Sequence, residues 1–394
     1  MTEGDDTMSE KTIEGTPATQ APAVASTSDR WRGAGRDVLA RAYRGENSGL
    51  LFVVLIVTVA VFGFLLRDTT FLSSSNLLSI VETTTAVTVM AVTTVFVICT
   101  GEIDLSFATV IPVSAYIAAI CLEHHQPVIV AVVAALGFGA AVGLVNGAVT
   151  VFFKIPSFVV TLGMLGVLQG YSEAITNSST LTVTDKAFLN LFGQGHVGTV
   201  SVLVLWSVGT ALVGALVLSA TATGRRVLAT GANPNAARFS GIKTGRIKIV
   251  VLMFSGMGGA LGGLIYVGQF TAATFTLGSS DLLNVLAAVI VGGTALAGGQ
   301  GSVIGALIGS WLIGLIGNAL IILGLSNPQQ LMVRGVIIII AVILSSRPRG
   351  RQGGAPRLAK LTRALRPSGR SPAVAAPGVG DSGPPAPDGG SSTG

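Results

Sequence analysis

Long apolar runs separated by short polar segments make up the middle of the chain. A straight transmembrane helix needs about 20 apolar residues; most of the runs reach or approach that length, but the third, eighth and tenth fall short. The runs lie at about 50–66, 78–99, 107–122, 128–153, 158–176, 200–220, 247–268, 282–297, 303–324 and 331–345. The pattern predicts an all-α fold, a polytopic transmembrane helical bundle of about ten spans with broken central helices.

Charged residues are scarce and lie mainly at the two ends. The 394-residue chain is 50% hydrophobic and 11% charged, and residues 49–346 hold only 10 of its 24 Lys/Arg and 8 of its 18 Asp/Glu. A soluble globular domain carries about 25% charged residues. The composition therefore excludes a water-soluble enzyme, a nucleic-acid-binding protein and a secreted disulfide scaffold. Cys99 and Cys121 lie in or beside apolar runs without CxxC spacing, so they are predicted to be small core residues.

The basic residues predict how the chain crosses the membrane. With ten spans and a cytoplasmic N-terminus, 21 of the 24 Lys/Arg lie inside, and only Arg67, Lys186 and Arg334 do not. Because such an excess is typical of cytoplasmic segments, both termini are predicted to be cytoplasmic. The chain then has three regions: a mostly disordered N-terminal tail at 1–48, a transmembrane domain at 49–346 with a cytoplasmic loop at 221–246, and a disordered basic C-terminal tail at 347–394.

Two acidic residues interrupt the apolar pattern in the segment TGEIDLS at 100–106. Glu102 and Asp104 are costly to hold near membrane depth, and such residues usually line a water-filled path or meet a partner. Residues two apart point to different faces of a helix, so one can cap a half-helix while the other faces the path. The alternative interpretation is that Asp104 caps the helix beginning near Ser106 and Glu102 is solvated at the inner membrane interface.

The polar loop at 223–242 contains the signals of a short helix. Asn233 suits the N-cap, Pro234 the first helical position, and Gly241 the left-handed residue that ends a helix. A helix of about two turns is not stable alone in water. It is therefore expected to pack either on helix ends of this chain or on a cytoplasmic partner.

A glycine-rich segment lies at the end of the eighth apolar run. GGTALAGGQG at 292–301 is too rich in glycine for an uninterrupted lipid-facing helix, and broken helices occur where they line a cavity or are buried in protein. Such interruptions are typical of transport sites. The glycines predicted to break helices, here and at the acidic segment, are Gly101, Gly292, Gly293, Gly298, Gly299 and Gly301.

Glycine also recurs at the spacing of close helix packing. Small residues four positions apart let helix backbones approach each other in lipid, where van der Waals contact drives association. Examples are Gly137 with Ala141, Gly143 with Gly147, Gly258 with Gly262, Gly259 with Gly263, and Gly305 with Gly309. The pattern predicts a tightly packed bundle and by itself indicates no function.

Four motifs follow one another between residues 97 and 345. They are GEIDLS at 101–106, Asn146-Gly147 with PSFVVTLG at 156–163, the loop from TGR at 223–225 to Gly241-Ile242, and AAVIVGGTALAGGQGSVIG at 287–305. In these motifs the chain resembles the permease subunits of bacterial ABC importers for ribose, xylose and galactose, which are related to branched-chain amino-acid permeases. It departs from the family pattern at Glu102, where many relatives have a small residue, and in lacking an acidic residue after the last helix.

The resemblance implies a location in the bacterial cytoplasmic membrane and a set of partners and site residues. The partners are an ABC ATPase subunit, an extracytoplasmic solute-binding protein, a second permease subunit and membrane lipid. The 233–241 helix becomes the coupling helix that docks on the ATPase, with coupling residues Arg225, Asn233, Pro234, Ala236, Ala237, Arg238, Ser240 and Gly241. Candidate path residues, whose polar groups can satisfy sugar hydroxyls, are Glu102, Asp104, Asn146, Thr161, Gln169 and Asn284. For each path residue, interhelical hydrogen bonding or helix capping is the alternative.

ATP hydrolysis is expected on a partner chain, since no segment matches the phosphate-loop pattern G-x-x-x-x-G-K-[ST]. No catalytic residue, cofactor or metal is predicted, and which pentose or hexose is carried stays open. The alternative is a secondary transporter that couples transport to an ion or proton through Glu102, Asp104, Glu173 or Asp281. A purely structural membrane protein is disfavoured by the acidic breaks.

Overall fold

The computed structural model describes residues 48–345, and these residues form fourteen α-helices. In chain order the helices are α1 (Ser48–Leu65), α2 (Ser74–Thr83), α3 (Thr85–Cys99), α4 (Phe107–Glu123), α5 (Val128–Phe152), α6 (Ser157–Thr176), α7 (Lys186–Leu189), α8 (Val202–Ala220), α9 (Ala222–Ala232), α10 (Pro234–Phe239), α11 (Thr244–Phe270), α12 (Asp281–Val291), α13 (Val303–Ile322) and α14 (Asn327–Ser345).

Four two-residue strands and one π-helical turn complete the described secondary structure. They are β1 (Leu181–Thr182), the π-helical turn (Asn190–Gln194), β2 (His196–Val197), β3 (Val200–Ser201) and β4 (Ala272–Ala273). β1 pairs antiparallel with β4, with Leu181 opposite Ala273, and β2 pairs antiparallel with β3, with His196 opposite Ser201. The first pair ties the segment after α6 to the end of α11.

The helices confirm a helical membrane bundle. Within residues 48–345, α5, α6, α8, α11 and α13 are long and apolar enough to cross a membrane, and α2 with α3, bent by 46° relative to each other, gives a sixth candidate. α1, α4 and α12 are shorter apolar helices. The count of ten spans and the cytoplasmic termini stay predictions, and the predicted tails fall, apart from Ser48, outside the described residues.

Two apolar runs predicted from the sequence are not single helices: the run at 78–99 is divided between α2 and α3, and the second is the run at 282–297. The run at 282–297 contains α12 only as far as Val291, and the chain becomes helical again at Val303. The reason is backbone conformation, because Gly293 and Gly298 adopt φ angles of 85° and 83°, which no α-helix contains. The predicted break in the glycine-rich segment is therefore confirmed.

α3 is the central helix of the bundle. All of its side chains are buried, and α8, α11, α12 and α13 pack around it. Its threonines reach neighbouring helices: the Thr88 and Ser310 hydroxyl oxygens lie 2.6 Å apart, and the Thr85 hydroxyl donates to the Leu203 carbonyl oxygen at 3.1 Å. Such interhelical hydrogen bonds hold a bundle together where lipid gives no hydrophobic drive. Cys99 at the end of α3 is buried, as predicted.

Glycines allow α5 and α11 to pack at backbone contact. A Cβ on Gly139 or Gly143 of α5 would overlap the carbonyl groups of Gly256 or Leu252 in α11, and one on Gly147 would lie 2.7 Å from the Ile249 Cα. The predicted packing role of Gly143 and Gly147 is therefore confirmed. The pairing predicted for Gly137 is not found, because a Cβ there would meet nothing within 4 Å in the described chain. The two helices run antiparallel, so the end of α5 lies beside the start of α11.

Candidate functional site

The non-helical segment at 100–106 separates α3 from α4 and is held by the start of α6. The Ile103 N–H donates to Ser157 Oγ at 3.0 Å. Thr161 Oγ1 lies 3.2 Å from the Ile103 carbonyl oxygen and 2.9 Å from that of Ser157. Backbone groups freed by a helix break must find partners inside the protein. Thr161, predicted to line a path, therefore holds the break in its conformation.

Glu102 forms an ion pair with Lys248 in the second turn of α11. Lys248 Nζ contacts Glu102 Oε1, and the two side chains are 23% and 9% exposed. Removing a carboxylate from water costs several kcal/mol unless a cation and hydrogen bonds compensate it. The interpretation that Glu102 is merely solvated is therefore wrong. In the sequence, Lys248 is only one of the 21 Lys/Arg predicted to lie inside, and the acidic segment alone indicates that Glu102 needs a partner.

Asp104 is buried and fixes the start of α4. Its Oδ1 accepts hydrogen bonds from the Ser106 N–H at 2.8 Å and from the Ser106 hydroxyl at 2.7 Å. Asn146 on α5 donates to Ser106 Oγ at 2.8 Å, so these three residues form one network. Within the described residues, Asp104 Oδ2 and Asn146 Oδ1 are buried without a hydrogen-bond partner. Buried acceptors of this kind are normally satisfied by water or a ligand.

α10 has the caps that the sequence predicts. Asn233 Oδ1 accepts hydrogen bonds from the N–H groups of Asn235 and Ala236 at 3.1 and 3.0 Å. Pro234 occupies the first helical position, and Gly241 follows the helix with a φ of 81°. The side-chain oxygen satisfies two of the N–H groups that a helix leaves free at its start. The beginning and end of this short helix are therefore determined by residues at its own ends.

The two faces of α10 differ. Ala237 is buried, whereas Phe239 is 93% exposed. α10 packs on α9 and α11, and Arg238 Nε donates to Thr244 Oγ1 at 2.9 Å, which fastens it to the start of α11. Two more predicted coupling residues donate to backbone carbonyls of the same region: Arg225 to Ala220 at 3.3 Å and Ser240 to Ala236 at 3.0 Å. Phe239 is not among the predicted coupling residues, although it is the apolar side chain of this helix most open to a partner.

Both helix breaks and α9 meet at a set of glycines, Gly101, Gly231, Gly298 and Gly299, which we call the glycine junction. The Gly299 N–H donates to the carbonyl oxygen of Cys99, the last residue of α3, at 2.9 Å. A Cβ on Gly298 would lie 2.9 Å from the Gly101 nitrogen and 3.2 Å from the Gly231 Cα. A Cβ on Gly231 would lie 2.6 Å from the Gly299 nitrogen. Because a side-chain carbon does not fit at these distances, glycine is what lets α9 touch both breaks.

The other two predicted path residues lie apart from this region. Gln169 is exposed on α6, where it donates to Glu173 Oε1 at 3.0 Å. Asn284 on α12 donates to Asp281 Oδ1 at 3.1 Å, and the Tyr266 hydroxyl donates to Asp281 Oδ2 at 2.5 Å. The structure therefore brings together four of the six predicted residues. Tyr266 belongs to a second buried polar cluster that the sequence analysis did not find.

A lateral groove of about 470 Å³ lies between α3, α5, α8 and α11. Its lining is almost entirely apolar and includes the aromatic side chains of Trp206 and Phe254, with Thr93 and Thr210 as its hydroxyl groups. The Trp206 indole N–H donates to the Leu191 carbonyl oxygen at 2.9 Å. None of the six predicted path residues lines this groove.

Comparison with known proteins identifies the family. The family described as "Branched-chain amino acid transport system / permease component" matches residues 76–342, from α2 to α14. The chain belongs to this family. The permease is thus a transport subunit of bacterial inner-membrane ABC transporters and not a catalytic enzyme.

The relatives of this permease include sugar permeases. It is 34% identical over 316 residues to the ribose import permease protein RbsC of Escherichia coli (strain K12), covering 79% of this chain and 97% of that protein. It is 33% identical over 305 residues to RbsC of Bacillus subtilis (strain 168), with coverage of 77% and 92%. It is 29% identical over 309 residues to the L-arabinose ABC transporter permease protein AraH of Azospirillum brasilense, with coverage of 78% and 89%. No solved structure matches the chain. The resemblance inferred from the four motifs is confirmed.

Proposed function

We propose that this permease forms the membrane path of an ABC importer for a monosaccharide, either a pentose or a hexose. A solute-binding protein delivers the sugar, and a separate ATPase drives transport. The names of the ribose, L-arabinose and galactose permeases to which the chain is similar support the substrate class. The observation that carries the proposal is the glycine junction, because it places α9, which leads directly into the capped and exposed α10, in contact with both helix breaks.

The proposal includes ten spans, with α9, α10 and both termini in the cytoplasm. Counting α2 with α3 as one segment, and leaving α7, α9 and α10 outside the membrane, the fourteen described helices give ten segments. Six basic residues between α9 and the second turn of α11 support the cytoplasmic side of this region. They are Arg225, Arg226, Arg238, Lys243, Arg246 and Lys248.

In this mechanism the ATPase subunits close on ATP and move α10, which docks through its exposed face. Because Ala237 is buried and Arg238 is bonded to Thr244, α10 moves together with α9 and the start of α11. At the end of α9 that leads into α10, Gly231 lies against the end of α3 and the glycine-rich break. One movement of α10 therefore shifts both breaks together and switches access to the path.

The sugar is proposed to contact Asp104 and Asn146. Their free acceptors, Oδ2 and Oδ1, can receive sugar hydroxyl protons, and they are buried beside the break that moves. Glu102 and Thr161 act next to them by holding the break, through Lys248 and through the Ile103 peptide. A second permease subunit completes the path. The lateral groove between α3, α5, α8 and α11 supports a two-subunit path, since a single chain leaves it partly open.

The test is co-purification of the full-length, tagged permease from its native membranes. Phe239→Ala removes the exposed side chain through which α10 is proposed to dock. It leaves the packing of the permease itself undisturbed, because Phe239 is exposed. Phe64→Ala is the matched control, because Phe64 is 73% exposed on α1, away from α10. An ATPase is expected to co-purify with the wild type and with Phe64→Ala, and to be lost with Phe239→Ala. If the wild type brings down no ATPase and accumulates sugar on a proton gradient alone, the importer proposal fails.

A further inference from the structure

A second pocket lies beside the Glu102–Lys248 ion pair, at the end of the bundle that carries α10. It has a volume of about 280 Å³ and lies between the end of α5, the start of α11 and α10. Its lining residues are Glu102, Thr150, Val151, Lys154, Ile155, Pro156, Arg238, Gly245 and Lys248. The proposed transport mechanism uses the Glu102–Lys248 ion pair and the Arg238–Thr244 hydrogen bond of this pocket but places no ligand in it.

The pocket carries an excess of positive charge. Three of its lining side chains are cationic, and one, Glu102, is anionic and already paired with Lys248. Within residues 48–345, Lys154 and Arg238 have no carboxylate within ion-pair distance. Arg238 uses its Nε for Thr244, so its two terminal nitrogens are free to bind. Two unneutralised cations facing one small pocket favour an anionic ligand.

Thr150, which lines the same pocket, carries a buried hydroxyl that provides a second and independent observation. Thr150 is 6% exposed, and its Oγ1 is buried without a hydrogen-bond partner among the described residues. A buried hydroxyl that makes no hydrogen bond costs about 1–3 kcal/mol. An anionic oxygen in the pocket would accept this proton, and the lysine and arginine would complete its coordination.

Two exposed aromatic residues lie at the end of α5, next in sequence to the pocket residue Lys154. Phe152 and Phe153 are 75% and 72% exposed, and they immediately precede Lys154. At the end of a membrane-spanning helix, such side chains meet lipid acyl chains, while the neighbouring lysine reaches the headgroup level. The ligand that satisfies both features has an anionic head and apolar tails.

We propose that this pocket binds the phosphate headgroup of an anionic phospholipid in the cytoplasmic leaflet. Basic pockets between transmembrane helices on the cytoplasmic side are typical sites for such headgroups. The phosphate lies between Lys154, Arg238 and the Thr150 hydroxyl, and the acyl chains run along Phe152 and Phe153. The proposal relies on the cytoplasmic position of α10 and does not depend on which sugar is transported.

The test is native mass spectrometry of the full-length permease, delipidated and titrated with phosphatidylglycerol or phosphatidylcholine. Lys154→Gln removes one cation of the pocket, and Lys154→Gln/Arg238→Gln removes both. Arg246→Gln is the matched control, because Arg246 is an exposed cation in the first turn of α11 that does not line the pocket. Lys248 is left intact, since its replacement would leave the Glu102 carboxylate without its ion-pair partner.

Wild type and Arg246→Gln are expected to retain phosphatidylglycerol more tightly than phosphatidylcholine. Each pocket cation removed is expected to weaken phosphatidylglycerol binding about fivefold, the equivalent of about 1 kcal/mol per charge near a membrane. Equal retention by all variants, or no preference between the lipids, overturns the proposal.

Inorganic phosphate is titrated in parallel: if it occupies the pocket at lower concentration than the lipid, the ligand is a soluble phosphate and not a headgroup. If the pocket variants lose the ATPase but keep the lipid, the pocket is an ATPase contact and the proposal is again overturned.

Discussion

Replacing Gly231 by alanine is expected to break the link between α9 and the two helix breaks. The added Cβ would overlap the Cys99 carbonyl oxygen and lie 2.6 Å from the Gly299 nitrogen. Both are backbone atoms, so neither can rotate away as a side chain would. Either α9 or the breaks must therefore shift by several tenths of an ångström.

The size of the effect follows from the overlap. Overpacking a tight contact costs about 1–3 kcal/mol, and the upper end applies here because both neighbours are backbone. The higher helix propensity of alanine favours helical α9 equally whether it is docked or undocked, so it does not change the ratio of these states. The penalty on the docked junction is therefore about 2–3 kcal/mol, or about 30- to 150-fold in that ratio.

The assay is ATP-driven sugar uptake in proteoliposomes that contain the permease, its ATPase and its binding protein. Gly231→Ala is expected to lower uptake at least tenfold while the ATPase still co-purifies, because the exposed face of α10 is unchanged. Gly137→Ala is the control, since a Cβ at that helical position would meet nothing within 4 Å in the described chain. Uptake by Gly231→Ala equal to that of the control would refute the idea that this junction transmits movement.

Three further predictions test individual contacts. Lys248→Met leaves the Glu102 carboxylate without its cation and is expected to lower the free energy of unfolding by about 3–5 kcal/mol. In a thermal unfolding assay, Glu102→Gln/Lys248→Met should recover most of this loss. An equal loss in the single and the double variant would contradict the ion pair. Asn233→Ala removes the cap of α10, at a cost of about 1 kcal/mol to that helix, and should reduce the amount of co-purified ATPase without changing the unfolding temperature of the permease. Asn146→Ala should raise the KM for sugar uptake while ATPase docking is unchanged, and an unaltered KM would remove Asn146 from the path.

Local structure could be predicted from the sequence where the signal is itself local. The caps of α10 depend on residues within nine positions of one another. Asn233, Pro234 and Gly241 are therefore sufficient to predict where this helix begins and ends. The break at 292–301 could be predicted for the same reason, because glycines at positive φ exclude a continuous helix. The ten apolar runs likewise each contain helix, since apolar length is read directly from the chain.

Contacts between distant parts of the chain could not be predicted in the same way. Glu102 and Lys248 are far apart in sequence, and only the packing of α11 against the first break brings them together. The glycine junction joins three separate segments of the chain. The sequence shows the glycines of each segment but not which other segments they contact. Gly137 shows the opposite error, because helical spacing identifies a face suited to close packing without showing whether another helix covers it.

The most direct test of the central claim is sugar accumulation in proteoliposomes under two energy sources. The permease is reconstituted with the ATPase and the binding protein that co-purify with it, and labelled ribose, L-arabinose and galactose are supplied in turn. We expect uptake of at least one sugar that requires ATP, the ATPase and the binding protein, and that persists when an ionophore collapses the proton gradient. Uptake by the permease alone that needs no ATP and stops with the ionophore would contradict the importer proposal.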